Sequence, residues 1–167
     1  MRSIVAFAAL SVFALTLTPL ASVAQTDTYL ELLRSDIKAE TVAILTEVME
    51  FSDDEGAVFW PIYREYDLES SKLGDRRVTA LKDYAENFDQ LSNEKAKSLA
   101  DAHFKLQEER LKLSKKYYKK TAKALDPNTA ARFVQVMDQI NLLLDVQVAV
   151  NIPLIEKYTE TMTEASQ

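Results

Sequence analysis

The chain holds one histidine, His103, and no cysteine, so the side chains that most often carry metal or nucleophilic chemistry are almost missing. A metal centre needs several convergent ligands. Asp101 is two residues from His103, and on a helix that offset points it to another face. The sequence has no Glu-x-x-His pair, the spacing that builds di-metal helical bundles. Covalent haem attachment requires cysteine. A non-covalent haem would need His103 paired with Met49 or Met137, and methionine on an apolar helix face is ordinarily core filler. No serine sits in a Gly-x-Ser-x-Gly elbow, and His103 has no placed nucleophile or acid, so acyl-transfer chemistry finds no support. Two glycines, Gly56 and Gly74, do not make a phosphate loop. No catalytic, cofactor-binding or metal-binding residue is assigned. The chain reads as a non-enzyme, with a metal- or haem-binding bundle as the weaker alternative.

What remains are residues suited to holding another molecule. Lys112, Lys115, Lys116, Lys119 and Lys123 recur at three- and four-residue steps, with Lys120 beside them. On a helix that spacing makes one basic stripe. Its plain reading is a solvated face supported by Glu108–Lys112 pairing. Its functional reading is a docking strip for an acidic client, lipid headgroups or a second copy. Tyr117 and Tyr118 add amphipathic contact area beside it. The second cluster is the segment 51–66, which holds the only Trp and a helix-internal Pro. Phe59, Tyr63 and Tyr66 share a face. Trp60 lies ~100° around the helix from Phe59, and Pro61 removes a hydrogen bond and clashes with the carbonyl of Ala57. A kink or restart is expected there, turning Trp60 toward the core or toward a partner. The candidate partner-binding residues are therefore Trp60, Tyr63, Arg77, Arg110, Lys112, Lys115, Lys116, Tyr117, Lys119 and Lys123.

Helices must position these residues. The chain is poor in Gly and rich in Ala, Leu, Lys and Glu, the composition of long helices. Four segments are expected, at about 27–50, 52–89, 93–125 and 127–151. Leu30, Leu33, Ile37, Thr41, Ile44, Leu45 and Val48 form the first apolar face. Phe59, Tyr63, Tyr66, Ser70, Leu73, Arg77, Leu81, Tyr84 and Phe88 form the second. The third carries Ala96, Leu99, Ala100, His103, Leu106, Leu111, Tyr117, Tyr118 and Leu125, and His103 is expected half-buried among Leu99, Leu106 and Gln107. The fourth carries Ala130, Phe133, Val134, Met137, Ile140, Leu143, Leu144 and Val148. Three helix starts share one form, an apolar residue followed by a cap, at Phe51-Ser52, Leu91-Ser92 and Leu125-Asp126. Ser52 with Glu55 reads as a capping box, and Pro127 suits the first helical position.

The fold class is all-α, with four main helices of which two are long and central. They can close as an elongated hairpin or four-helix bundle. They can also form a thin layer that pairs with a second copy. Ser70, Arg77, His103 and Arg110 interrupt the apolar stripes, and an unpaired buried charge is costly, which favours an open or dimeric arrangement.

Residues 1–24 read as a cleavable secretory signal peptide: a basic start at Arg2, an apolar run over 4–17, a break at Pro19 and small residues at Ser22 and Ala24. The run is short for a membrane span of ~20 residues, so no stable span is expected after cleavage. Residues 25–160 form one helical domain, and 161–167 a frayed polar tail. Of 20 basic side chains the signal takes Arg2, leaving 19 against 26 acidic. That acidic balance argues against nucleic acid as a partner. Export, small size and absence of cysteine point to the periplasm.

In layout and helix-start chemistry the chain resembles the LTXXQ-motif (Spy/CpxP-like) periplasmic helical proteins. Phe51-Ser52-Asp53-Asp54-Glu55 stands at the place of the first Leu-Thr-x-x-Gln motif, with Glu55 for Gln. Leu125-Asp126-Pro127-Asn128-Thr129 stands at the second, with Thr129 for Gln. The Phe-Trp-Pro-Ile-Tyr segment is also similar to one found in uncharacterised exported proteins. The first resemblance implies a curved antiparallel homodimer, ATP-independent chaperone or envelope-stress activity, and a concave basic and apolar face that holds unfolded or envelope proteins. The alternative is a structural or regulatory subunit docking one fixed envelope partner.

Overall fold

The computed structural model describes residues 21–155. The expected signal segment up to residue 20, the side chains of Leu30 and Leu33, and the expected polar tail lie outside the described residues. The fold is all-α, and the described residues form α1 (Ala21–Met49), α2 (Asp53–Asn87), α3 (Asn93–Ala124) and α4 (Pro127–Ala149), with a 3-10 turn (Phe88–Gln90) between α2 and α3. Contacts divide the chain into two units, one ending at Glu40 and the other beginning at Thr41. The first is helical from Ala21 onward. All that follows concerns the second unit.

The starts of α2, α3 and α4 are chemically fixed. Ser52 Oγ accepts from Glu55 N–H, and the Ser52 N–H donates back to Glu55 Oε2 at 2.9 Å. Both halves of the expected capping box are therefore made. Ser92 Oγ accepts from Lys95 N–H at 3.1 Å. Asp126 Oδ1 accepts from the Asn128 and Thr129 N–H groups at 2.8 and 3.1 Å, directly ahead of Pro127. These caps satisfy backbone donors that a helix start leaves free. With so few residues between caps, consecutive helices must fold back on one another.

The pairing register shows how they do so. Going up α2, Glu65 meets Lys120, Glu69 meets Lys116 and Arg76 meets Glu109. One number rises as the other falls, so α2 and α3 are antiparallel. Phe59 and Tyr66 of α2 touch Phe133 of α4, and Arg77 touches Asp145. Both numbers rise together, so α4 runs parallel to α2.

The core sits at the end where the α1–α2 and α3–α4 turns lie. It comprises Leu45 and Met49 from α1, Phe59, Ile62, Tyr63 and Tyr66 from α2, Leu113 and Tyr117 from α3, and Phe133, Val136 and Met137 from α4. The rings meet edge to face: Phe59–Phe133 at 5.2 Å, Tyr66–Tyr117 at 5.3 Å and Tyr66–Phe133 at 5.4 Å between centroids. That geometry adds to the burial of aromatic area. Beyond Tyr66 the α2 stripe is only half-buried from Ser70 to Phe88. α4 stops at Ala149, so the far end of the α2–α3 hairpin lacks its third helix. Phe104 stands 63 % exposed there.

Several expectations change. α2 is one uninterrupted helix from Asp53 to Asn87, and Pro61 is its ninth residue. The expected restart at Trp60-Pro61 does not occur, because the residues on either side are locked into the core through Phe59, Ile62 and Tyr63. Val48, Leu111, Tyr118 and Leu143, expected on apolar faces, are exposed. Leu113, Thr121 and Val136 are buried instead. His103 is exposed rather than half-buried, with its ring 5.9 Å from Phe104.

Candidate functional site

The α3 lysines do not form one uniform stripe. Lys116 Nζ donates to both carboxylate oxygens of Glu69 at 2.6 and 2.9 Å, and Lys120 pairs with Glu65. Between them Tyr117 is fully buried, and its hydroxyl donates to Glu69 Oε1 at 3.0 Å. Both ammonium groups also lie near its ring, at 5.2 and 6.0 Å from the centroid. Burial first, and then donation to the Glu69 carboxylate, pushes the Tyr117 hydroxyl well above the ordinary tyrosine range. The Lys116 ammonium pulls the Glu69 carboxyl below its ordinary range. This half of the lysine set fastens α3 to α2.

Lys115 and Lys119 point the other way. Both are exposed, and among the described residues neither is joined to a carboxylate. They rim a groove of about 660 Å³ between α3 and α4. Its apolar surface comes from Leu111 and Tyr118 of α3 and from Ala131, Val134 and Leu142 of α4. Leu111 is 55 % exposed and Leu142 63 %. Gln135, Asp138 and Gln139 supply the polar groups on the α4 side. Exposed Leu143, Val146 and Val150 extend the apolar character of α4 toward its C-terminus. Lys112 and Lys123 are exposed outside this groove.

A second, more polar groove of about 480 Å³ lies beside the α1–α2 turn. Trp60, Phe51, Pro61 and Arg64 line it, with Thr46 from α1. Trp60 is half-buried, edge-on to Phe59 at 5.3 Å and to Tyr63 at 5.7 Å. It therefore packs on the core with one side and faces the groove with the other. Gly56 is buried beneath it. A Cβ there would meet Trp60 Nε1 at 3.6 Å and Phe51 Cβ at 3.9 Å, ordinary contact distances.

Arg77 and Arg110, two polar interruptions of the apolar stripes, converge. Arg77 Nη1 donates to Asp145 Oδ1 at 2.5 Å, and Arg110 Nη1 donates to Asp145 Oδ2 at 2.9 Å. One carboxylate thus links three helices, about a third exposed. Tyr63 is buried in the core, where desolvation raises its hydroxyl pKa. Tyr66 is likewise raised by burial, with the Asn141 and Ser70 side chains drawing it partly back.

Of the ten candidate residues, then, Lys115 and Lys119 share one groove and Trp60 lines another. Lys112 and Lys123 stand in solvent. Tyr63 and Tyr117 lie in the core, and Arg77, Arg110 and Lys116 are engaged in ion pairs between helices. Sequence reasoning missed the groove itself. The signal available was Leu111 and Tyr118, seven residues apart, which with Lys115 and Lys119 follow the 0, 4, 7, 8 spacing of one helix face. Among the described residues no cluster of three or more His, Cys, Asp or Glu is placed to hold a metal ion. Met49 and Met137 are both in the core, away from exposed His103. No described helix is long and apolar enough to cross a membrane. Comparison with protein-family models, curated proteins and solved structures finds no match to this chain.

Proposed function

We propose that this protein binds other polypeptides in the bacterial envelope without catalysis, holding unfolded or envelope proteins in the manner of an ATP-independent chaperone. The observation that carries the reading is the groove between α3 and α4, where Leu111, Tyr118 and Leu142 are solvent-accessible beside two free lysines. Exposed apolar surface of this kind, rimmed by polar groups, is typical of an interaction site. The cleavable-signal pattern at the N-terminus supports export, and the helix-start resemblance to the Spy/CpxP-like proteins supports the chaperone class. Those proteins also motivate a homodimer as the working form. The test is suppression of aggregation of a denatured client by the purified chain. Suppression at equimolar protein is expected, and unchanged light scattering at a several-fold excess would remove the reading.

The groove beside Trp60 favours a second reading, a subunit that docks one fixed envelope partner. Pro61 costs helix stability yet its side chain is exposed on the groove rather than packed in the core. Proline inside a helix removes a backbone hydrogen bond, and here its ring forms part of the groove wall beside Trp60. A capture experiment that returns one stoichiometric partner, lost on Trp60→Ala, would favour this reading over the first.

A further inference from the structure

The α3–α4 groove is polarised across its width. Its α3 wall carries Lys115 and Lys119, both free of carboxylate partners among the described residues. Its α4 wall carries Asp138, flanked by the neutral Gln135 and Gln139. In a chain of net charge −6, this places a positive rim against the general sign of the molecule. The two lysines are separated by one helical turn, about 6 Å. The apolar lining along α4, from Ala131 to Leu142, runs about 16 Å, or three turns.

Resting on the protein-binding reading above, the geometry points to a more specific occupant: an amphipathic helix of another polypeptide bearing two carboxylates one turn apart. Its apolar face lies on Leu111, Tyr118, Val134 and Leu142. Its carboxylates face Lys115 and Lys119, and the flank toward Asp138 is neutral or basic. Helix-in-groove docking reads ligands by apolar residues at three- and four-residue steps, and the matched period of the two lysines fixes register. Lys116 and Lys120, one position along, are held by Glu69 and Glu65 and take no part. The charge pattern gives selectivity more than raw affinity.

The test uses the full chain and two fluorescein-labelled 15-residue helical peptides. One carries a leucine stripe flanked by glutamates four residues apart, and the other has lysine at those positions. Anisotropy should show the acidic peptide binding at least tenfold tighter at low salt, with the preference shrinking as salt screens the pairs. Lys115→Glu/Lys119→Glu should reverse the order, and Leu142→Ser should weaken both peptides several-fold. All three positions are exposed, so circular dichroism should be unchanged. Equal binding of the two peptides, or an order that survives the charge reversal, would overturn the inference. So would anionic phosphatidylglycerol vesicles that displace the peptide through the same two lysines, since that outcome makes the occupant a lipid surface. Client aggregation is measured in parallel. If the natural chain protects a denatured client but binds the two peptides equally, the groove inference fails while the chaperone reading stands. If the natural chain protects no client but binds the acidic peptide with the stated charge dependence, the chaperone reading fails and the groove inference stands.

Discussion

Glu55 illustrates how much a single side chain decides here. Its carboxylate accepts the Ser52 N–H and hydroxyl at 2.9 and 2.8 Å, and it sits at the positive end of the α2 dipole. The Ser52 backbone hydrogen bond, and then the Ser52 hydroxyl, hold its pKa below the ordinary carboxylate range. A lowered folded pKa means stability that is present above the unfolded pKa, about 4.3, and lost as pH falls through the folded value. Glu55→Gln keeps the acceptor and removes the titration. The variant should be less stable than the natural chain at pH 7, and the two should converge as pH falls from 5 toward 3 in urea titrations. A gap that stays constant over that range would show that the charge contributes nothing. Asp126 follows the same sign, its carboxyl lowered chiefly by the Thr129 hydroxyl and backbone N–H. Glu50 is a different case: it ends α1 at φ 52°, a left-handed position glycine would occupy more easily. Its partner Arg132 is 3.9 Å away and both side chains are exposed, so the ion pair contributes little.

At the scale of the element, α2 carries the strongest conflict between local propensity and fold. It is 35 residues long and contains both Pro61 and Gly74. Gly74 is exposed, and a Cβ there meets nothing within 4 Å. Gly74→Ala should therefore stabilise the protein by about 0.5–1 kcal/mol. Pro61→Ala restores a hydrogen bond to the Ala57 carbonyl and removes a ring clash, so a gain of about 1–3 kcal/mol is expected. Equal or lower melting midpoints in urea for both variants would contradict this account of the helix. The existence and ends of α2, α3 and α4 were readable because the caps Ser52, Ser92 and Asp126 are local chemistry. The faces were less readable. In helices of 32 and 35 residues an apolar stripe drifts by ~20° per heptad, and two phases of one helix both look amphipathic. The three- and four-residue spacing puts Leu111 and Tyr118 inward, whereas Leu113 and Thr121 are the buried residues. Which phase is buried depends on where α2 and α4 lie, and that is tertiary information. The lysines divide for the same reason: only the position of Glu65 and Glu69 on α2 separates Lys116 and Lys120 from Lys115 and Lys119.

For the second unit taken whole, the decisive feature is that full apolar burial gives way, after Tyr66, Leu113 and Met137, to a half-buried stretch closed by a charged knot. On one side of Asp145 lie Phe59, Tyr66, Tyr117 and Phe133, all buried. On the other, the α2 and α3 stripes are half-buried or exposed and α4 runs out at Ala149. Asp145 with Arg77 and Arg110 fastens all three helices at that boundary, and Tyr84 donates to the Pro153 carbonyl at 2.8 Å beyond it. Stability should therefore be uneven, with the core end opening only on global unfolding and the hairpin end opening locally. Phe133→Ala should cost about 3–5 kcal/mol of global stability. Asp145→Asn should cost much less globally, about 1 kcal/mol or under, because each pair is partly exposed. Its effect belongs to the hairpin end: amides of residues 93–106 should exchange up to about fivefold faster, while those of 113–121 should keep their protection. Native-state hydrogen exchange separates these outcomes. If Asp145→Asn accelerated both stretches equally, the two ends would unfold as one cooperative block, and the boundary drawn at the charged knot would have no energetic meaning.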